Sequence, residues 1–245
     1  MSSSSLPLVE TPTFVGKIPS SKKTFEFRPF LVKEQKALLF ALESGELEQI
    51  YLAFKNIIFA CTKDAINVDN IPSFDAESVF LQISSKSIGE TSKIEVKCSH
   101  CEEFIKMTVN IPDVTLKGFK TSGSTIQLTD KIGLKMKYPS MKDIVDISMK
   151  STSKKSFDES PQTKLVYDTI IASIDSIYDE KNVYPAKDYK YEELNTFLEN
   201  LSIEQINRVE EFFEKAPYLS LDLDFKCPKC GGMNSQEIRG IKNFF

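Results

Sequence analysis

The chain of 245 residues has no tryptophan, one histidine and five cysteines. With His100 as the single histidine, the commonest proton shuttle at neutral pH is nearly missing. That weakens hydrolase and general acid–base assignments. P-loop, GxGxxG, HExxH and GxSxG patterns do not occur, and the carboxylates are scattered as on solvated helix faces. Charge of neither sign dominates: 31 Lys and Arg against 35 Asp and Glu leave a net −4. That balance argues against broad attachment to nucleic acid. Long apolar runs are also lacking. The longest, near "NIIFAC" at 56–61, is far too short to span a bilayer. The opening "MSSSSLPLVETPTFVGKIPSS" has neither the cationic start nor the apolar stretch of a secretory signal. The expectation is therefore a soluble, cytoplasmic protein with reduced thiols. There, paired cysteines point to metal or redox chemistry rather than to structural disulfides.

The composition that remains, 41% hydrophobic and 27% charged, is that of an ordinary globular protein with a sizeable core. Residues 1–30 are rich in Ser, Thr and Pro and predict an extended N-terminal arm, with "KKTFEFRPF" as a short strand. A helical unit follows over 31–92. "LVKEQKALLFALESG" predicts a helix stopping at Gly45. Leu47, Ile50, Tyr51, Phe54, Ile57, Ile58 and Cys61 share one helical face. Cys61, at the end of that face, reads as a buried, inert thiol. Asp75 is a plausible N-cap for a third helix carrying Val79, Phe80 and Ile83.

Residues 93–116 read as two strands about a tight turn, and "STIQLTDKIGLKMKYPS" continues the strand-like alternation. Ser140 with Asp143 opens another helix, close to a capping box. "KSTSKKSFDESP" at 150–161 is a polar linker. Beyond it Val166, Ile170, Ile174 and Ile177 fit one helix, and Leu194, Phe197, Leu198 and Leu201 a second. Ser202 with Gln205 caps a third, which Pro217 ends. The fold class expected is α+β. A zinc ribbon, built from 93–138 and 218–245, is split by a helical insertion over 139–217.

The ribbon rests on four cysteines. "IEVKCSHC" and "LDFKCPKC" each place an alternating strand and a lysine before a CxxC turn. Such a turn presents two thiolates from one backbone bend, and two turns complete a tetrahedral zinc site. Cys98, Cys101, Cys227 and Cys230 are the candidate ligands of one structural zinc ion. Two separate thiol pairs, or a thioredoxin-like redox motif, are the alternatives. The redox motif would call for a CxxC at a helix start, whereas these sit between strands. An ordinary ribbon spaces its pairs by about 15–20 residues, so the much longer separation here implies an insertion. A closed four-cysteine site has no open position and does no catalysis. His100, between the first two thiols, reads as a solvent-facing turn residue. Nucleic-acid binding is the alternative function for a zinc ribbon, but lysines and carboxylates nearly balance around both pairs.

"FEFRPFLVKEQKALLFALESG", "FDAESVFLQISSKSIGE", the first CxxC strand pair and "IGLKMKYPSMKDI" together resemble the baseplate hub proteins of T-even-type contractile-tailed bacteriophages. The resemblance is strongest over residues 8–150. It implies a structural or assembly component of the tail baseplate hub, not an enzyme, docking to other tail or hub proteins. It also implies a place in the host cytoplasm during assembly and in the virion baseplate. No catalytic residue, small-molecule substrate or membrane-spanning segment is implied. "RPF" (28–30) and "KYPS" (137–140) are the expected contact segments, since each joins a cation, an aromatic and a proline at an element boundary.

Overall fold

A computed structural model of the chain describes residues 9–118, 125–153 and 161–240, without the side chains of 151–153 and 161–162. It is a mixed α+β structure in which every paired strand runs antiparallel to its neighbour.

The N-terminal segment is a hairpin of β1 (Phe14–Lys17) and β2 (Thr24–Phe27). Alternation puts Phe25 and Phe27 on one face, and both are buried. The described part of the expected arm is thus docked onto the body. The tip, residues 1–8, lies outside the described residues. Next come α1 (Val32–Ser44), α2 (Leu47–Cys61) and α3 (Ser73–Ser87). Gly45 closes α1 in the left-handed conformation, φ +68°. The hairpin phenylalanines pack with Tyr51, Phe54, Ile57 and Ile58 of α2 and with Val79, Phe80 and Ile83 of α3. Asp75 is not the cap of α3. Pro72 precedes the helix, and Asp75 sits in its first turn. There the fully buried carboxylate accepts the Ser20 N–H at 3.0 Å and the Ser20 hydroxyl, tying the β1–β2 turn to α3.

β3 (Thr91–Lys97) and β4 (Phe104–Asn110) form the first CxxC hairpin. β5 (Thr115–Lys117) leaves it for another sheet, described below. β6 (Thr125–Gln127) and β7 (Gly133–Met136) pair with each other, and α4 (Met141–Ser153) follows. Ser140 and Asp143 make the expected reciprocal cap: Ser140 N–H to Asp143 at 2.9 Å, Asp143 N–H to the Ser140 hydroxyl at 3.2 Å. Val145 of α4 joins the N-terminal core. Most of the expected linker 150–161 lies outside the described residues.

α5 (Pro161–Ala172) ends before Ile174. This corrects the single helix expected through Ile177. Residues 174–178 form β8 (Ile174–Tyr178), followed by β9 (Val183–Pro185). Ile174 lies opposite Met136, and Ile177 opposite Leu134. Spacing of three and four residues suits a helix, but β-branched isoleucines suit a strand equally well, and pairing with β7 decides. In the strand order β6-β7-β8-β9, β7 pairs with β8, and β8 and β9 lie inside the segment 139–217 expected to be helical. α5, α6 (Tyr191–Glu199) and α7 (Ile203–Glu214) cover this sheet through Ile170, Leu194, Leu198, Val209 and Phe212. Ser202 and Gln205 form the expected capping box at α7. Tyr138 joins the two cores, stacking on Phe212 at 4.6 Å and meeting the edge of Phe74 at 5.4 Å.

β10 (Tyr218–Lys226) and β11 (Met233–Arg239) form the second CxxC hairpin, and β5 adds to the free side of β10. Ile94, Val96 and Val109 of the first hairpin share a small core with Leu221 and Phe225 of the second.

Candidate metal centre

Both CxxC turns are built to one plan. The Cys98 N–H donates to the Glu103 carbonyl at 2.8 Å, and the Cys227 N–H to the Gly232 carbonyl at 2.9 Å. The Glu102 N–H returns to the Cys98 carbonyl at 3.0 Å, as the Gly231 N–H does to Cys227 at 2.9 Å. The fourth residue after each leading cysteine is left-handed: Glu102 at φ 60° and Gly231 at φ 75°. Glycine adopts that backbone without strain, whereas glutamate does so at a cost. Backbone amides also point at sulphur, His100 N–H to Cys98 Sγ at 3.4 Å and Gly232 N–H to Cys230 Sγ at 3.5 Å.

The two turns meet. All four sulphurs of Cys98, Cys101, Cys227 and Cys230 lie within 4.8 Å of one another, and together they could hold a metal ion. Pairs across the turns are closest: Cys98–Cys230 at 3.8 Å and Cys101–Cys227 at 3.7 Å. Those separations are far beyond the roughly 2 Å of a disulfide. Cys98 and Cys227 are buried, Cys101 is half-buried and Cys230 is exposed.

The electrostatics set the thiols apart. Burial opposes ionisation of Cys98, but the amides of Cys101 and His100, with Asn234, bring it down to about 6. The Glu103 amide favours a thiolate at Cys101. Burial and the neighbouring sulphurs of Cys230, Cys227 and Cys98 prevail and push it up to about 12. One thiolate forms readily, and further negative charge beside it is resisted. A cation held between the four sulphurs would offset that charge.

Asn234, buried on β11, was not singled out by the sequence. Its amide oxygen accepts the Ser99 N–H at 2.9 Å and the Ser99 hydroxyl at 2.8 Å, and its NH2 donates to the Gly232 carbonyl at 3.1 Å and reaches Cys98 Sγ at 3.5 Å. It therefore bolts one turn to the other. A lone asparagine one residue into a strand carries no signal of that role. His100 is exposed, as expected, with Nε2 2.9 Å from the Met233 carbonyl. Its ring lies so close to Gly232 that a Cβ there would be 2.5 Å from His100 Cδ2.

Charges around the centre pair locally: Lys97 with Glu102, and Lys229 with Glu103. The two segments expected to contact partners instead fold inward. Phe30 is buried, and Arg28 spends its guanidinium on Glu34 at 2.9 Å. Tyr138 lies between Phe74 and Phe212, while the Pro139 carbonyl accepts the Ser73 N–H at 3.0 Å. Cys61 is buried, and burial raises its thiol to about 11, against the pull of Arg28.

The sequence relationships extend over almost the whole molecule. Residues 10–245 match the model of the family described as T4 bacteriophage base plate protein. The chain is also 25% identical over 224 residues to "Baseplate hub assembly protein gp26" of Enterobacteria phage T4, covering 91% of this chain and 93% of that protein. No solved structure matches it. The resemblance seen most strongly over residues 8–150 thus extends through the second CxxC hairpin, and the chain belongs to the T4 bacteriophage base plate protein family.

Proposed function

We propose that the protein is a structural or assembly component of a contractile phage tail baseplate hub, working by docking to other hub proteins rather than by catalysis. The observation that carries this reading is the match to a baseplate hub assembly protein over nearly the full length of both chains. The host cytoplasm during assembly, and then the tail baseplate, are the places where it acts. The paired charges at the CxxC turns offer no basic track for a nucleic acid backbone. Among the described residues no helix is long and apolar enough to cross a membrane.

Cys98, Cys101, Cys227 and Cys230 hold one zinc ion in this reading. A tetrahedron with zinc–sulphur bonds of about 2.3 Å has edges of about 3.8 Å, and the two cross-turn sulphur pairs already stand at 3.7 and 3.8 Å. Four thiolates close the coordination shell, so the ion is structural. The β3–β4 and β10–β11 hairpins then form a zinc ribbon. Residues 31–92 form a helical unit beside it, and most of the chain between the hairpins is an insertion.

Two measurements test these statements separately. Proteomic analysis of purified virions, beside capture of the tagged protein from infected cells, should recover baseplate hub subunits with it. Absence of hub subunits from both refutes the docking role. Elemental analysis should give about one zinc per chain, lost on Cys98→Ser or Cys227→Ser. Full zinc content after disruption of both pairs sinks the shared site.

A further inference from the structure

α1 carries its apolar side chains on the wrong side for a monomer. Of its 13 residues, only Glu34 and Ala41 are buried. Phe40 is 70% exposed, Val32 65% and Leu39 50%. Helical geometry puts these three on one outward face together with Lys36 and Glu43. A surface groove of about 460 Å³ runs beside them, between Phe40 and Ala37 of α1 and Leu52 and Asn56 of α2. Helices this short draw most of their stability from a packed apolar face, and α1 has little of that face covered within its own chain.

The order of charges along α1 identifies what covers it. We propose that this face binds a second copy of the same chain, with the two α1 helices antiparallel about a two-fold axis passing between Leu39 and Phe40. In that register Leu39 meets the partner copy's Phe40, and Lys36 meets its Glu43. Lys33 lies opposite Glu46, just past the Gly45 turn. Each contact is made twice by symmetry, as an isologous interface requires. On this outward face the basic residues occupy the N-terminal half of the helix and the acidic ones its C-terminal end, while Glu34 is buried and paired with Arg28. A parallel arrangement would therefore set like charges together. Among the described residues neither Lys36 nor Glu43 has an ion-pair partner within the chain. The face is about 20 Å long and two helices wide. It stands at the small end of specific interfaces, near 1,200 Å² in total, so association depends on concentration in the micromolar range. The inference is independent of the zinc assignment and of the hub role.

Sedimentation equilibrium of the purified full chain over a concentration series tests it. The weight-average mass should rise from 27.8 kDa toward twice that value. Phe40→Glu should hold the mass at that of the monomer, with circular dichroism, and the melting temperature at dilutions where the wild type is monomeric, unchanged because the side chain is exposed. Lys36→Glu should weaken the dimer roughly tenfold, since symmetry counts the lost pair twice. The double variant Lys36→Glu/Glu43→Lys should restore it. A monomer at every concentration overturns the proposal, as does a dimer indifferent to Phe40→Glu. Failure of the charge exchange to rescue association overturns the register and with it the two-fold pairing. A wild-type monomer that captures a hub protein through Phe40 assigns the face to that protein instead and also overturns it.

Discussion

Asn234 and Asp75 are single buried polar side chains, each joining segments far apart in sequence. Asn234 ties Ser99 to Gly232 across the cysteine cluster. Removing it takes the partner from the Ser99 N–H, while the Gly232 carbonyl keeps the Cys227 N–H, and losing such a hydrogen bond costs about 1 kcal/mol. Asn234→Ala should lower the unfolding midpoint in urea accordingly, with all four cysteines still in place. Asp75 poses a different problem. Burial raises its carboxyl above the usual 3.8, and the hydrogen bonds from Ser20 oppose that rise without cancelling it. A raised folded-state pKa means the fold prefers the protonated acid. That contribution is complete below the unfolded value and is lost as pH climbs through the folded one. Asp75→Asn cannot ionise, so its stability relative to the wild type should improve between pH 3.8 and neutrality. Urea titrations at both ends of that range check the sign. An unchanging difference means the carboxyl is not perturbed.

Strand pairing in the β11-β10-β5 sheet converges on one carboxylate. Glu237 of β11 receives Lys117 of β5 at 2.9 Å, the Ser220 hydroxyl of β10 at 2.8 Å and Arg239 at 2.5 Å. Lys117, with Ser220 and Arg239, draws its pKa down to about 2. A depressed carboxylate stabilises the fold above its unfolded value, and the effect fades as pH falls through the folded one. The window is pH 4.5 to 2, and Glu237→Gln should flatten the loss of stability across it in acid unfolding curves. The surface position keeps the effect modest and sensitive to salt. Element boundaries were legible wherever their chemistry is local. Gly45 closes α1, and the Ser140–Asp143 and Ser202–Gln205 caps act within three residues. Ile174 and Ile177 misled because their helical spacing extends that of Val166 and Ile170. Only the distant strand β7 turns them into a sheet.

For the molecule as a whole, the cysteine cluster joins positions 126 residues apart, Cys101 and Cys227. A bound ion there removes chain entropy from the unfolded state by closing that long loop. A strong chelator should therefore lower the melting temperature of the wild type. The Cys98→Ser protein should melt lower from the outset and no longer respond to chelator. The sequence by itself determined the two strand–Lys–CxxC units, the α+β class, the apolar face of α2 and membership of a baseplate family. Each of these is written in residues that are neighbours or follow a short period. Only the tertiary structure decided that the four sulphurs converge, that Asn234 couples the two turns and that residues 133–136 pair with β8. The same holds for "RPF" and "KYPS", which turn inward, and for the outward face of α1. Periodicity shows which residues of a helix share a face, but whether another element covers that face depends on contacts the local pattern does not encode.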